Sequence, residues 1–180
     1  MPKRKHTPVK KAIKKAKRGA IPIIHVYTDG SASYKASDGG WAAVIRFEGK
    51  AETIYGFAKN TTVSRMELMG VLRALQAIGS DSPHPVRVFT DSQYVFNTLN
   101  VFIRAWKAYG WVTSDGNGVK NAKLIQRLDE EIQAHRKNHS VQLIWIPGHR
   151  GYEFNEVADK LAGNARKKEK SRFPKTPLGW

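Results

Sequence analysis

The alternation of hydrophobic and polar positions predicts one α/β domain between residues 21 and 167. Short runs rich in β-branched and aromatic residues predict strands, and longer stretches with apolar residues three and four positions apart predict helices. The predicted strands are Ile21–Tyr27, Trp41–Phe47, Glu52–Phe57, Val86–Phe89 and Val141–Ile146. The predicted helices are Ser64–Ile78, Ser92–Ala108 with a break near Asn100, Val119–Arg136 and Asn155–Lys167.

The order of these elements predicts a central sheet that is covered by helices on both faces. Strands that alternate with helices are typical of such sheets, and the first and fourth strands are expected to be parallel. Between the second and third strands, Glu48-Gly49-Lys50 is typical of a hairpin turn. Functional groups in these folds collect where loops leave the carboxyl ends of neighbouring strands. Asp29 and Asp91 each follow a predicted strand, so they are the first candidates for such functional groups.

The net charge of +16 is concentrated at the two ends of the chain. Residues 1–18 hold nine Lys or Arg and no acid, and residues 166–180 hold six basic residues and one acid, which leaves +2 for the residues between them. We therefore expect a basic N-terminal tail over residues 1–20, whose composition favours disorder, and a basic C-terminal tail over residues 168–180. Basic tails attract polyanions, usually nucleic acid, although a role in solubility or targeting is the alternative.

Composition excludes several classes of protein. No stretch reaches the roughly 18 apolar residues of a membrane span, and the N-terminus lacks the apolar segment of a secretory signal. Because the chain has no cysteine, a bound metal would need oxygen or imidazole ligands. We expect a cytoplasmic protein that acts as a monomer. Nuclear import is the alternative, because Pro-Lys-Arg-Lys at residues 2–5 is similar to an import signal.

Four acidic residues are candidates for chemistry, although each alone has an ordinary explanation. Asp29 precedes a glycine as in many turns, and Asp91 stands where an N-cap is expected. Glu67 could complete a capping box with Ser64, and Asp159 lies off the apolar stripe of the last helix, where it could be plain surface.

Their joint placement favours a metal site. Two aspartates at the ends of neighbouring strands would face one cleft, and Glu67, in the first turn of its helix, can lean toward the same edge. Two carboxylates about 4 Å apart repel by roughly 4 kcal/mol at an effective dielectric near 20, so a cluster of them needs a cation. Oxygen ligands select Mg²⁺ or Mn²⁺, and a pair of such ions suits attack on a phosphodiester.

Six segments, in order over residues 23–166, resemble type 1 ribonuclease H. They are Tyr-Thr-Asp-Gly-Ser (27–31), Gly-Gly-Trp-Ala-Ala-Val (39–44), Arg-Met-Glu-Leu (65–68), Thr-Asp-Ser-Gln-Tyr-Val (90–95), Trp106 through Gly110-Trp111, and Gly148-His149 through Asn155-Glu156 to Asp159. The resemblance implies a ribonuclease H-like fold with a five-stranded mixed sheet of order 3-2-1-4-5. It also implies an endonuclease that cuts the RNA strand of RNA–DNA hybrids with two Mg²⁺ ions, for which Mn²⁺ can substitute, leaving 5′-phosphate and 3′-hydroxyl ends.

The resemblance also assigns residues. The family's four metal ligands fall on Asp29, Glu67, Asp91 and Asp159, and its mobile-loop histidine, which moves a proton or helps to release product, falls on His149. Backbone near Gly30 and the side chain of Gln93 would touch the ribose 2′-hydroxyl, and Thr62 and Asn121 match a pocket for a phosphate of the DNA strand. Trp106 matches an aromatic residue beside that pocket, with core packing as the alternative for Trp106 and Trp111. The full set of substrate-binding candidates is Gly30, Ser31, Thr62, Ser64, Arg65, Gln93, Trp106, Lys107 and Asn121.

This chain departs from the family pattern in three places. Val63 and Ser64 stand where many relatives have two asparagines, and Tyr34 to Asp38 replace a glycine-rich stretch. The segment from Val101 to Lys123 resembles the basic handle of the family but carries less charge, which the basic tails could offset. Two other functions therefore stay open at this point: a non-catalytic hybrid-binding module of the same fold, and a nuclease of the wider superfamily that acts on DNA.

Overall fold

The structure, a computed structural model, describes residues 21–180, so the predicted N-terminal tail lies outside the described residues. Five strands form one sheet, and the helices lie between β3 and β4, between β4 and β5, and after β5 along the chain. The strands are β1 Ile24–Ala32, β2 Gly39–Phe47, β3 Lys50–Ala58, β4 Val86–Thr90 and β5 Val141–Trp145. The helices are α1 Val63–Ile78, α2 Gln93–Asn97, α3 Ile103–Ala108, α4 Ala122–Arg136 and α5 Glu153–Lys168, with a π-helical turn, Thr98–Phe102, between α2 and α3.

The strand order, β3-β2-β1-β4-β5, confirms the predicted mixed sheet. β1 pairs antiparallel with β2 and parallel with β4, while β2–β3 is antiparallel and β4–β5 is parallel. The predicted hairpin is also present, since Phe47 pairs with Lys50 across a two-residue turn. Glu48 and Gly49 both have positive φ, 45° and 80°, which is the geometry of the turn that matches the twist of paired strands.

Two adjacent glycines in β2 show how helices cover both faces of the sheet. Successive residues of a strand point to opposite faces. A Cβ added to Gly39 would meet the side chains of Thr61 and Met66 at the start of α1, whereas one added to Gly40 would lie 2.2 Å from the carbonyl oxygen of Ala162 in α5. α1 and α5 therefore pack on opposite faces, and the buried aliphatic residues of β1, β2 and α1 form the centre of the core.

Two elements, β1 and α4, begin three residues later than the sequence predicts. β1 begins and ends later than predicted and runs through Asp29, so Asp29-Gly30 is part of a strand rather than a turn. The helix predicted from Val119 begins at Ala122 instead, because Asn121 adopts a left-handed conformation with a φ of 61° that interrupts helical geometry. The predicted break near Asn100 corresponds to the π-helical turn between α2 and α3.

The last twelve residues pack against the domain although their composition favours disorder. The backbone of Arg172 exchanges two hydrogen bonds with Tyr55 of β3, 3.0 and 2.8 Å long, and thereby pairs with the outer edge of the sheet. Phe173 contacts the Trp41 ring edge to face, and Trp180 stacks on Phe47. Charge composition alone misses these aromatic anchors. The backbone of Arg172 covers part of the otherwise open edge of β3.

Among the described residues, no helix is long and apolar enough to cross a membrane.

His135 and His139 form a buried pair, and we expect His135 to lower the stability of the folded protein in acid. The His135 ring is fully buried, contacts the carbonyl oxygen of Leu75 at 3.0 Å through Nε2, and lies 3.1 Å from His139 through Nδ1. Burial lowers the pKa of His135 from 6.5 to about 4, so the unfolded chain takes up a proton that the folded protein rejects. We expect His135 to cost the folded state about 2 kcal/mol as the pH falls from about 6.5 to 4.5.

The measurement is urea unfolding of the wild type and His135→Gln over this pH range, because glutamine keeps a donor for the Leu75 carbonyl but does not titrate. The difference in unfolding free energy should shift in favour of the variant in acid. A difference that is independent of pH would contradict the prediction, whatever its size at neutral pH.

Candidate active site

The carboxylates of Asp29 and Asp91 leave the sheet at the same level. The parallel pairing of β1 and β4 runs from Ile24–Val86 to Thr28–Thr90, and each aspartate is the residue directly after the last pair. In a parallel pair, equivalent positions on the two strands point to the same side of the sheet. The register of the sheet therefore places Asp29 and Asp91 side by side, as expected for two acids that face one cleft.

Glu67 reaches the same place because α1 lies very close to β1. Thr62, and not Ser64, caps this helix, and its Oγ1 accepts a hydrogen bond from the backbone N–H of Arg65 at 3.3 Å. Glu67 is thus not used in a capping box with Ser64. A Cβ on Gly30 would lie 2.5 Å from the Glu67 nitrogen, so only glycine at position 30 lets the helix come this near.

The three carboxylates form a compact and largely buried group. One ligand oxygen from each of Asp29, Glu67 and Asp91 lies within 4.8 Å of the other two. Burial, followed by the charge of Asp91, raises the pKa of Asp29 from 3.8 to about 7. Burial and the charges of Asp29 and Asp91 also raise the pKa of Glu67 well above its ordinary value. The cluster therefore opposes its own ionisation, and a cation would remove that cost.

The donor set fits a hard divalent cation. All three groups are carboxylates, the ligand type that Mg²⁺ and Mn²⁺ prefer, and thiolates are absent because the chain has no cysteine. Glu67 Oε2 is buried and accepts no hydrogen bond from the described residues, although buried carboxylate oxygens are normally satisfied. An ion in the cluster would supply the missing partner.

The other two predicted catalytic residues lie at the margin of this group. Asp159, on α5, is half-buried and close enough for its charge to contribute to the raised pKa of Asp29, but it is not among the three acids that share the 4.8 Å cluster. His149 is exposed in the loop between β5 and α5, with a φ of 51°. Its neighbour Gly148 packs against Asp91, because a Cβ at that position would lie 2.9 Å from Asp91 Oδ2.

Two residues that support Asp91 were not among the sequence candidates. Asn155, which is buried, donates a hydrogen bond from Nδ2 to Asp91 Oδ2 at 3.0 Å. Trp145, at the end of β5, donates from its indole nitrogen to the backbone oxygen of Asp91 at 3.1 Å. Asn155 lies in the motif that runs from Gly148 to Asp159, on the same helix as Asp159, so the sequence could have indicated that it belongs to the site. The role of Trp145 depends on the pairing of β4 with β5, which the sequence does not specify.

The predicted phosphate-pocket residues Thr62 and Asn121 are brought together through Arg65. Thr62 caps α1, and Arg65 of the first helical turn donates a hydrogen bond from Nη1 to Asn121 Oδ1 at 3.5 Å. Asn121 in turn donates to the Tyr94 hydroxyl at 3.1 Å. This chain of contacts links the start of α1 to the handle segment and leaves the guanidinium of Arg65 exposed beside it.

The remaining substrate candidates are not part of the carboxylate cluster. Gln93 is exposed as the first residue of α2, and Ser31 accepts a hydrogen bond from Nε of Arg166 at 3.2 Å. Trp106 is half-buried and stacks on Phe102, so it is neither pure core nor free surface. The two other candidates are Ser64, half-buried in the first turn of α1, and Lys107, which forms an ion pair with Asp129 of α4.

Comparison with known proteins identifies the family. The family model described as RNase H matches residues 22–167. The chain belongs to the ribonuclease H family. It is 45% identical over 139 residues to the ribonuclease H of Chromobacterium violaceum, which covers 77% of this chain and 91% of that protein. It is 40% identical over 151 residues to the ribonuclease HI of Caulobacter vibrioides, covering 84% of this chain and 97% of that one.

Solved structures agree with this assignment. LC9-RNase H1, described as a type 1 RNase H with the type 2 active-site motif, superposes with a TM-score of 0.71 at 26% identity and covers 84% of this chain and 75% of that one. A foamy viral protease-reverse transcriptase, solved in complex with dsDNA, has a TM-score of 0.67 at 18% identity, covers 83% of this chain and 96% of that one, and shows the shared fold. Membership of the ribonuclease H family makes this protein a nuclease hydrolase.

Proposed function

We propose that the protein is an endoribonuclease that hydrolyses the RNA strand of RNA–DNA hybrids. The observation that carries the proposal is the convergence of Asp29, Glu67 and Asp91 within 4.8 Å at one end of the sheet, in a chain of the ribonuclease H family. A non-catalytic nucleic-acid-binding domain would gain nothing from this group, because unneutralised carboxylates repel the phosphates of a bound strand. The same acids serve hydrolysis once cations occupy them.

The metal site in this proposal consists of Asp29, Glu67, Asp91 and Asp159. Two Mg²⁺ ions, or Mn²⁺ in their place, would supply Lewis-acid activation of water and neutralisation of the charge that develops on the phosphate. The protein contributes a pre-formed arrangement, because Asn155 and Trp145 hold Asp91 in place and Gly30 lets α1 bring in Glu67. Hydrolysis by this route leaves a 5′-phosphate and a 3′-hydroxyl.

His149 is the proposed proton-transfer or product-release residue. It follows Gly148, which packs on Asp91, and it is exposed in the loop between β5 and α5. A histidine side chain can both accept and donate a proton, which suits either task.

Recognition of the two strands is assigned to different sides of the carboxylates. Backbone near Gly30, together with Ser31 and the exposed Gln93, would contact the 2′-hydroxyls, which distinguish RNA from DNA. The DNA strand would be bound through its backbone at Thr62, Arg65 and Asn121, where exposed and half-buried polar groups and a guanidinium converge. The other residues of this proposed surface are Ser64, Trp106 and Lys107.

The test is a hybrid assay in which each strand is labelled in turn, with Mg²⁺ or Mn²⁺ titrated from zero. We expect cleavage of the RNA strand alone, dependence on the ion, and products with 5′-phosphate ends. Asp91→Asn should lower the cleavage rate by about 100-fold or more, because loss of a ligand charge removes several kcal/mol of transition-state stabilisation. It should still bind the hybrid.

Duplex DNA and duplex RNA are the substrate controls, and Asp38→Asn, outside the carboxylate cluster, is the matched variant control. Equal activity of Asp91→Asn and the wild type would reject the assigned site. Binding of the hybrid without cleavage at any ion concentration would favour the binding module, and cleavage of duplex DNA would favour a DNA nuclease of the same superfamily.

A further inference from the structure

A group of lysines lies around the end of α5, beside β3. α5 ends at Lys168, Glu169 takes a left-handed conformation, and the backbone N–H of Lys170 donates a hydrogen bond to the Ala165 carbonyl at 3.1 Å. Ser171 and Arg172 then hydrogen-bond to β3. The backbone that carries Lys168 and Lys170 is therefore held against the folded domain. We call this surface the C-terminal ridge; it consists of Lys59, Lys167, Lys168 and Lys170.

The ridge carries uncompensated positive charge. Two acids lie in this region: Glu169 is 3.9 Å from Lys59, and Glu52 pairs with Arg172. Within residues 21–180, no acidic group comes within 4.0 Å of Lys167, Lys168 or Lys170, all of which are exposed. The helix dipole favours cations in the last turn of α5, but it does not account for the lysines that follow the helix.

A cavity at the ridge has the size and lining to hold an anionic group. Its volume is about 260 Å³, and it lies between α5 and β3. Lys168 and Lys170 are the charged residues that line it, together with Tyr55, Leu161, Asn164 and Ala165. Neither lysine forms an ion pair within residues 21–180, so a phosphate bound here would not have to displace one.

The ridge lies at the same end of the sheet as the carboxylates. Phe57, which hydrogen-bonds to Ser171, pairs with Gly40 near the start of β2, and the same end of β2 pairs with the end of β1 just beyond Asp29. Lys168 follows Asp159 by nine positions on α5, a rise of about 14 Å. For a duplex that runs parallel to α5, this rise corresponds to about four base pairs at about 3.4 Å each.

We propose that the C-terminal ridge binds the phosphate backbone of the nucleic acid that flanks the cut, about four base pairs away on the β3 side. This inference rests on the proposed function, because it takes the hybrid to lie over the carboxylates. It adds a second contact at the end of α5, whereas the handle segment contacts Arg65 of α1, on the other face of the sheet. Because the contact is to phosphate, it is independent of sequence and sensitive to salt.

The first test measures binding of the full chain to a hybrid without divalent ions, over a range of salt concentrations. Each phosphate contact contributes about 0.9 to the slope of log affinity against log salt, so Lys168→Gln/Lys170→Gln should flatten that slope by about 2. The control, Lys50→Gln/Lys137→Gln, removes the same charge from two exposed lysines at the other end of the sheet and should leave the slope nearly unchanged. Equal slopes for the two double variants would overturn the proposal.

The second test uses a DNA duplex in which one strand contains a few ribonucleotides, so that cleavage occurs at a known position. The duplex is then shortened on one side of that position or on the other. With long flanks, kcat/KM of the ridge variant should be about 10-fold below that of the wild type. When the flank that would reach the ridge is cut to about two base pairs, the wild type and the ridge variant should have equal kcat/KM, since neither can use the ridge. Cutting the other flank should leave the difference between them unchanged. A defect that persists with short flanks on both sides would overturn the proposal.

The two proposals fail in different ways. If the wild type binds but does not cleave the hybrid, the proposed function fails while the salt slopes still report on the ridge. If the hybrid is cleaved but the ridge variant behaves like the control, only the ridge inference fails.

Discussion

Replacing Asp29 by asparagine is expected to abolish cleavage and, in the metal-free protein at about pH 8, to raise the free energy of unfolding by about 4 kcal/mol. The loss of activity should reach about 1,000-fold or more, because Asp29 is one of the proposed metal ligands and lies within the three-carboxylate cluster. The gain in stability follows from the cost of holding ionised carboxylates together in a buried site without a cation. A residue that is needed for catalysis is thus predicted to destabilise the empty fold.

The sign of the stability effect follows from the pKa of Asp29. Burial and the charge of Asp91 raise this pKa from 3.8 to about 7, so the folded protein keeps a proton that the unfolded chain releases at lower pH. The uncharged form therefore stabilises the folded state in acid, and that stabilisation is lost as the pH rises through about 7. Asparagine has no charge to lose, so the variant should gain most above pH 7.

The measurement is urea unfolding at several pH values with EDTA and with Mg²⁺. Mg²⁺ should stabilise the wild type, because an ion that binds only the folded state shifts unfolding by mass action, and it should stabilise Asp29→Asn much less. Glu130→Gln, at an exposed carboxylate on α4, is the matched control and should change neither result. A variant less stable than the wild type in EDTA at every pH would contradict the electrostatic account of the cluster.

The strands and the carboxylates could be predicted from the sequence, because the strands depend on local residue patterns and the aspartates on their positions at the ends of parallel strands. The β-branched runs locate the strands, and two aspartates that follow parallel strands must meet at one edge of the sheet. Glu67 was harder to place, since its contact depends on how closely α1 approaches β1. That distance is set by the lack of a side chain on Gly30 and is not visible in hydrophobic periodicity.

What the sequence did not provide depends on contacts between distant segments. The hydrogen bonds of Asn155 and Trp145 to Asp91 join residues more than fifty positions apart. The C-terminal residues have the composition of a free tail, but Phe173 and Trp180 find aromatic partners in β2. The affinity of the basic tails for polyanions stays a prediction. The position of the ridge on the domain depends on the pairing of Arg172 with Tyr55, which basic composition does not indicate.

Gly40→Ala is expected to destabilise the protein by about 3 kcal/mol and to lower cleavage by about 100-fold, although position 40 holds no functional group. A Cβ there would lie 2.2 Å from the carbonyl oxygen of Ala162 and 2.7 Å from the backbone nitrogen of Arg166. Both atoms belong to the backbone of α5, so no side-chain rotation can relieve the overlap. The whole helix must move away from the sheet, and it carries Asp159.

The matched control for this substitution is Gly163→Ala in the same helix. A Cβ at position 163 meets nothing within 4 Å, and alanine favours helical backbone over glycine, so this variant should be about 0.5–1 kcal/mol more stable and fully active. Unfolding free energies and single-turnover cleavage rates of the two variants are the measurements. Should Gly40→Ala keep wild-type activity at a temperature where it is folded, the position of α5 against β2 would not matter for catalysis. Asp159 would then have to act without the close helix–sheet contact that brings it toward Asp29.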